Sequence, residues 1–231
     1  MSVLYIIRHG QASFGQADYD QLSGLGRRQA ELTGQYLRAA GITPHAVFAG
    51  ALRRQGQTAR AALAGVTALE PSLLPGLDEY DSGAILKALL PAMLREDPSL
   101  EASLAGMYQD RRAFQIIYEG AMRRWVSGQY DLDGCETWRA FQQRAANAWQ
   151  QVLAGHQGGK TVLAFTSGGP IAAILQQALG LADQMALKMT WVIKNASLTS
   201  FFHNGHDLTM SSFNSTAHLE QHGDPGLITY R

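Results

Sequence analysis

The sequence has 231 residues and 46% hydrophobic residues, which suits one domain with a well-buried core. Lys plus Arg and Asp plus Glu are equal at 19 each, so no overall charge favours nucleic acid or an anionic membrane as a partner. The lone Cys135 cannot form an intrachain disulfide, no apolar run is long enough to cross a bilayer, and we expect no signal peptide, which together favour a cytoplasmic protein.

The first predicted strand ends in polar residues. An apolar run from Leu4 to Ile7 leads directly into Arg8, His9 and Gly10. Polar side chains at the carboxyl end of a strand are typical of a ligand site at a sheet edge. The same tripeptide also follows strands by chance, so its interpretation depends on what later segments supply.

A loop over residues 12–19 and a helix capped by Ser23 follow the first strand. The next buried strand, 46–49, precedes an alanine-rich helix that carries Arg53 and Arg54 at its start. This second junction again places arginine at the carboxyl edge of a sheet. For one of the two arginines we expect only a solvated position on the helix surface.

A proline-containing loop then carries three carboxylates, Asp78, Glu79 and Asp81. Any of them can be plain surface charge. One carboxyl beside an imidazole and two arginines would, however, complete an acid/base set.

Residues 84–130 are predicted to be helical. They carry two apolar stripes at helical spacing, and Pro91 predicts a kink or a restart within the first. Such stripes more often belong to a core or a dimer interface than to a cofactor site. A homodimer is therefore one of the arrangements compatible with the sequence. Because the segment lies between candidate site residues, we expect a helical cap insertion that shapes a pocket.

A buried strand over 161–165 leads into a Gly-rich turn and another helix, with Pro170 predicted at the first helical position. The amides of this turn favour anion binding, although a tight turn that needs glycine only for its geometry is equally compatible. Two more strands flank an Asn-Gly hairpin signal at 204–205. The nearby histidines have spacings too irregular for a metal site, so we expect them at the surface. They are His203, His206, His218 and His222.

Six segments occur in an order that resembles one known family. They are R-H-G-Q at 8–11, D-Q-L-S-G-L-G-R-R-Q-A at 20–30, L-R-R-Q-G-Q-T-A at 52–59, L-D-E-Y-D-S-G at 77–83, G-C-E-T at 134–137 and N-A-S-L-T at 195–199. Together they resemble the histidine phosphatase superfamily, which includes cofactor-dependent phosphoglycerate mutases and many phosphomonoesterases. The resemblance implies a single phosphoglycerate mutase-like domain over 1–231. Its fold class would be α/β, a three-layer α/β/α sandwich with a mostly parallel central sheet and a helical cap insertion at about 84–130.

The resemblance also implies a role for each matching residue. His9 would be the nucleophile that forms a phosphohistidine. Arg8 and Arg54 would clamp the phosphoryl oxygens, and Arg54 rather than Arg53 matches the family arginine. Glu79 would act as general acid and then as general base. No metal and no other cofactor is implied.

The Gly-rich turn departs from the family pattern. Thr166-Ser167-Gly168 stands where the family has Ser-His-Gly, so Ser167 replaces a histidine that donates to the phosphoryl group. The Ser167 hydroxyl and the Gly168 amide remain as expected phosphate ligands. Loss of one preorganised donor commonly lowers the rate by about 10²- to 10³-fold. Gln55 in place of the usual alanine is a smaller departure.

The resemblance therefore implies a metal-independent phosphatase for a small phosphorylated molecule, weakened by the serine. A catalytically degenerate phosphate-binding or protein-interaction module is the alternative, and a phosphoglycerate mutase is a third. We expect the substrate rim to include Gln11, Phe14 and Tyr80.

Overall fold

The computed structural model describes residues 1–13, 20–107, 109–130, 132–204 and 207–230. The strands are β1 (Ser2–Arg8), β2 (Ala46–Ala49), β3 (Ser72–Leu73), β4 (Thr161–Thr166), β5 (Leu198–His203) and β6 (Leu208–Ser215). The helices are α1 (Gly24–Ala39), α2 (Arg53–Leu63), α3 (Ser82–Glu96), α4 (Leu100–Gly106), α5 (Arg111–Ser127), α6 (Trp138–Leu153), α7 (Gly168–Leu179), α8 (Asp183–Val192) and α9 (Ala217–Glu220). None of the described helices has the length and hydropathy of a membrane span.

The six strands form one sheet in the order β3-β2-β4-β1-β5-β6. The first four strands in this order are parallel, and β5 and β6 join as an antiparallel pair at one side. Arg8 at the end of β1 lies in register with Thr166 at the end of β4, next to the end of β2 at Ala49. The carboxyl ends of these strands therefore meet at one edge, as the polar strand ends predicted.

Helices cover both faces of the sheet. Because side chains alternate along a strand, Ile6 packs with Trp149 of α6 on one face, whereas Ile7 packs with Leu37 of α1 and Leu63 of α2 on the other. Each such apolar side chain contributes about 1.5–3 kcal/mol when fully buried. The predicted three-layer α/β fold with a mostly parallel sheet is confirmed.

The segment predicted to be helical contains α3, α4 and α5. Leu89 and Met93 of α3 are buried in one cluster with Trp125 of α5, so these apolar stripes pack against each other within the chain. The predicted restart at Pro91 is wrong, because α3 runs unbroken from Ser82 to Glu96. Pro91 is exposed, so water can reach the carbonyl that loses its helical hydrogen bond, while the packing of the buried stripe favours one continuous helix.

Two local predictions near the end of the sequence are also wrong. The helix after β4 begins at Gly168, so Pro170 is its third residue and not its first. His203 and His218 are buried, at 2% and 3% exposure, because one shares the inner face of β5 with Phe201 and the other lies on α9 under α1. His222 is exposed as expected, and His206 lies outside the described residues.

Candidate active site

His9 follows β1 directly and is held by its backbone. Its N–H donates to the carbonyl of Thr166 at 2.8 Å, and its carbonyl accepts from the N–H of Ala196 and from Nδ2 of Asn195 at 3.2 Å each. Asn195 starts one of the six matched segments, but the sequence carried no sign that its side chain supports His9. These bonds tie the residue to the strand ends on either side of β1.

The His9 ring is buried, at 4% exposure, and its two nitrogens have different partners. Nδ1 lies 2.7 Å from the carbonyl oxygen of Gly10, and Nε2 lies 3.2 Å from Nε of Arg54. A carbonyl can only accept and a guanidinium can only donate, so Nδ1 carries the proton and Nε2 holds a lone pair. Burial, followed by the charges of Arg8 and Arg54, lowers the pKa of His9 well below its usual value. The ring is therefore a neutral imidazole whose Nε2 carries the lone pair.

A close backbone contact fixes the turn after His9. A Cβ on Gly10 would lie 2.3 Å from the carbonyl oxygen of Gly26, so only glycine lets this turn pack on the first turn of α1. The Gly10 N–H donates to Oγ1 of Thr58 at 3.0 Å, which ties the same turn to α2.

Both expected arginines are buried beside His9, at 9% and 7% exposure. Arg8 donates from Nη1 to the carbonyl oxygens of Ile193 and Tyr230. Arg54 forms an ion pair with Asp20, 2.7 Å between Nη1 and Oδ1. Asp20 starts the second matched segment, but its role was not predictable from the sequence. Its carboxylate orients the guanidinium of Arg54 across the end of β1.

The predicted acid, Glu79, lies against the start of α7. The N–H of Gly169 is 3.0 and 3.1 Å from its two carboxylate oxygens. A Cβ on Gly169 would lie 2.1 Å from Oε1 of Glu79, so this approach requires glycine. Burial raises the pKa of Glu79, although the Gly169 N–H opposes the shift. This amide of the Gly-rich turn is therefore engaged by a side chain of the protein itself.

Two further contacts hold the loop that carries this carboxyl. Oδ1 of Asp78 accepts from the N–H groups of Ala51 and Leu52 at 2.6 and 3.3 Å, which joins the loop to the turn before α2. Nη1 of Arg144 on α6 donates to the carbonyl of Asp78 at 3.1 Å, and Arg144 is itself held by Glu136 through bonds of 2.7 and 2.9 Å. Glu136 of the G-C-E-T segment thus acts on the loop through Arg144, for which no role in the site was predicted.

Ser167 is fully buried and engaged by Gln55. Nε2 of Gln55 donates to Oγ of Ser167 at 2.8 Å and to the carbonyl oxygen of Leu77 at 3.1 Å. The two positions that depart from the family pattern therefore contact each other. Oε1 of Gln55 is buried with no hydrogen-bond partner among the described residues. The amide of Gln55 fills space beside the small serine side chain.

A cavity of about 510 Å³ opens over His9. Its walls include Arg8, His9, Arg54, Glu79, Gly168 and Tyr80, together with side chains from α5 and α8.

Two of the predicted residues, Ser167 and Gln11, do not reach this cavity within the described chain. Ser167 is not part of its lining, so the structure does not bring the serine hydroxyl to the phosphate end. Gln11 is also not part of the lining, and its Oε1 accepts from Oγ of Ser23 at 2.9 Å. Phe14 lies outside the described residues.

An α/β sheet with a neutral histidine, two arginines and a carboxyl at one edge has the groups that binding and transfer of a phosphoryl group require. The family model described as the histidine phosphatase superfamily (branch 1) matches residues 4–99 and 84–216. The chain therefore belongs to the histidine phosphatase superfamily, the class of enzyme that the six segments predicted.

Solved structures share this fold at low sequence identity. A phosphoserine phosphatase variant from Entamoeba histolytica, in complex with phosphoserine, matches with a TM-score of 0.65 and 19% identity over 95% of this chain and 100% of that one. A mycobacterial glucosyl-3-phosphoglycerate phosphatase, in complex with VO3, gives 0.65 and 20% over 93% and 99%. A phosphoglycerate mutase from Bacillus anthracis gives 0.64 and 18% over 96% and 97%. No curated protein matches the chain.

Proposed function

We propose that this protein is a metal-independent phosphomonoester hydrolase that works through a phosphohistidine on His9. The observation that carries the proposal is the pair of contacts that the His9 ring makes with Gly10 and Arg54. The carbonyl of Gly10 holds the proton on Nδ1, and the lone pair of Nε2 lies at the cavity, where it accepts a hydrogen bond from Nε of Arg54 that a bound phosphoryl group would replace. A depressed pKa keeps this ring neutral and nucleophilic at pH 7.

In the first step Nε2 of His9 attacks phosphorus, so a nitrogen–phosphorus bond forms as the bond to the ester oxygen breaks. Arg8 and Arg54 offset the negative charge on the three non-bridging oxygens. Glu79 gives its proton to the departing alkoxide, which leaves as an alcohol. The raised pKa of Glu79 favours the protonated form that this step needs.

In the second step the Glu79 carboxylate takes a proton from water, and the water oxygen attacks phosphorus. The nitrogen–phosphorus bond breaks with its electron pair returning to Nε2, and inorganic phosphate leaves. His9 is then neutral and Glu79 protonated, as at the start. No metal is needed, because the two guanidinium groups supply the positive charge.

The related structures support a small phosphorylated molecule as the substrate. Two of them hold phosphoserine and VO3, a phosphomonoester and a phosphate mimic. Residues 84–130 would form the cap of a single domain over 1–231, and α5 within this range contributes side chains to the cavity wall. Selectivity for the organic group would lie with this segment.

The position of Ser167 favours a second candidate, a phosphate-binding module without turnover. Its hydroxyl is held by Gln55, so the side chain at this position gives the phosphate end no further donor. Such a module would keep Arg8 and Arg54 for binding while transfer to His9 is slow.

Rapid quenching with 2,4-dinitrophenyl phosphate tests the proposal. Wild-type protein is expected to form an acid-labile, alkali-stable phosphate adduct and to release phosphate in EDTA, whereas His9→Ala does neither. His222→Ala, which changes an exposed histidine, serves as the matched control and is expected to match wild type. Full activity in His9→Ala would end the nucleophile assignment. Saturable binding of inorganic phosphate with no turnover of any ester would favour the second candidate.

A further inference from the structure

The wall of the cavity beyond the arginines is aromatic. Phe114 and Tyr118 lie one helical turn apart on α5, and their rings are nearly parallel at 17° with centroids 5.5 Å apart. Trp191 of α8 and Tyr230 line the same cavity, and α8 packs against α5. Aromatic rings prefer partners at centroid distances of roughly 4.5–7 Å, so this wall suits a further flat ring. A volume of about 510 Å³ leaves room for one beside the phosphate.

The charges of the described lining residues are unevenly distributed. The cations among them, Arg8 and Arg54, both lie beside His9 at the phosphate end. On α5 the charged lining residue is Glu119, which accepts from Nη2 and Nε of Arg123 at 2.5 and 2.9 Å. A second phosphate or carboxylate on a substrate would lose water beside Glu119 without gaining a cation from the described lining. Such a group is disfavoured there by its own desolvation, since Arg123 beside it is already paired with Glu119.

We infer that the substrate is a phosphomonoester whose organic part carries an aromatic or heteroaromatic ring and no second acidic group. The inference rests on the proposed function, because it treats the end at His9 as the phosphate end. It assigns Phe114 and Tyr118 as residues that bind the organic group.

A comparison of three alkyl phosphates tests the inference. In 2-phenylethyl phosphate, ethyl phosphate and 3-phosphoglycerate the ester oxygen is that of an alcohol, so differences in kcat/KM report mainly the organic group. We expect kcat/KM for 2-phenylethyl phosphate to exceed the value for either other ester by about tenfold. Equal values for the phenylethyl and ethyl esters, or a preference for 3-phosphoglycerate, would overturn the inference.

A matched pair of variants on α5 separates stacking from general apolar burial. Phe114→Leu keeps an apolar side chain but removes the ring, and it is expected to lower the ratio of kcat/KM between the phenylethyl and ethyl esters to about threefold or less. Ile116→Ala changes a residue of the same helix that is 43% exposed, and the ratio should stay as in wild type. An unchanged ratio in Phe114→Leu would remove the ring from its assigned role.

A gain of function tests the charge argument. Gln115 is an exposed lining residue on α5, and Gln115→Arg adds a cation near the aromatic wall. We expect kcat/KM for 3-phosphoglycerate to rise about tenfold relative to wild type, since one new ion pair can supply that factor. No rise would contradict the charge argument.

Failure of the proposed function can be told apart from failure of this inference. If no ester is hydrolysed, the proposed function fails, and calorimetric binding of the same three esters tests the inference directly. Tighter binding of 2-phenylethyl phosphate than of ethyl phosphate would then support it. Equal affinities, or tighter binding of 3-phosphoglycerate, would overturn it.

Discussion

At the scale of single residues, Gln55 and Ser167 form a buried hydrogen-bonded pair just before the helix α7 that carries Gly168 of the cavity wall. One amide nitrogen of Gln55 serves both the serine hydroxyl and the carbonyl of Leu77. A histidine at position 167 needs the space that Gln55 fills. The contact therefore makes the two departures from the family pattern dependent on each other.

Ser167→His alone is expected to destabilise the protein without a gain in turnover. The larger ring would overpack a fully buried position, at a cost of about 1–3 kcal/mol. The double variant Gln55→Ala with Ser167→His removes the obstruction and supplies a new donor at the phosphate end. We expect kcat to rise by about 10²-fold over wild type, measured with 2,4-dinitrophenyl phosphate.

Gln55→Ala alone completes the double-mutant cycle. It leaves the Ser167 hydroxyl without the donor that Gln55 supplies, and it should lower stability by about 1–3 kcal/mol with no gain in kcat. If Ser167→His alone gave the full rise in kcat, the two positions would be independent and our account of the pair would be wrong.

Sequence reasoning identified the residues that carry chemical groups more readily than those that support them. His9, Arg8, Arg54 and Glu79 were named from the order of short segments, and the structure brings all four to one cavity. Asp20, Asn195 and Arg144 were missed as supporting residues. Each acts on a residue more than thirty positions away, and the sequence does not show such contacts before the sheet order is known.

At the scale of elements, α6 positions the loop that carries Glu79. Arg144 reaches from this helix to the carbonyls of Gly76 and Asp78, each at 3.1 Å, and Glu136 holds it from the helix start. The helix is thus a support for the acidic loop as well as a layer of the fold.

Arg144→Leu is expected to lower kcat by about tenfold or more, because displacement of a catalytic group by about 1 Å can cost about 10²-fold in rate. Loss of the cation should also raise the pKa of Asp78, whose carboxyl it faces. Because Arg144 holds the loop that carries Glu79 and its charge also acts on that carboxyl, the pH dependence of kcat should change as well as the value of kcat. Arg139→Leu, an exposed position on the same helix, is the control and should leave kcat and its pH profile unchanged. A loss of stability with unchanged kcat would assign Arg144 a purely structural role.

Element types were predictable from hydrophobic spacing, whereas boundaries were set by contacts. The helix after β4 begins at Gly168 because Ser167 already has extended backbone geometry, and its start lies against Glu79 from a distant loop. Pro91 stays inside α3 because burial on both sides of it favours an unbroken helix. The groups that fix these two features, Glu79 for α7 and the buried cluster with Trp125 for α3, are distant in the sequence.

At the scale of the whole molecule, buried histidines make stability depend on pH. His218 lies 3.1 Å from Oγ1 of Thr33, and burial lowers its pKa from 6.5 to about 4. As the pH falls, His218 therefore takes up a proton at a higher pH in the unfolded chain than in the folded chain. The free energy of unfolding should fall as the pH falls from about 6.5 to about 4, by up to about 1.4 kcal/mol per pH unit from this group.

His218→Gln is expected to remove this part of the pH dependence. Urea titrations followed by tryptophan fluorescence at several pH values give the measurement. The difference in unfolding free energy between wild type and His218→Gln should shrink as the pH is lowered below about 6.5. His45→Gln changes an exposed histidine that is not among the groups acting on His218 and serves as the control. A constant difference for His218→Gln across this range would show that the buried ring does not take part.

The α/β class and the three-layer arrangement were predictable because alternation of strands and helices leaves few ways to bury both. The burial of His203 was not predictable, because a histidine in a strand is expected at the surface. Which face of β5 it takes is fixed only when this strand pairs with β1 and β6.

The strand order has a consequence for how the chain folds. β1 and β2 follow each other in the sequence, yet β4 lies between them in the sheet. The parallel core therefore cannot assemble until residues 161–166 arrive, and Arg8 then still awaits acceptors 185 and 222 positions further on. Contacts so distant in sequence close slowly. During synthesis the early strands keep unpaired edges, which is the condition under which a chain depends most on chaperones.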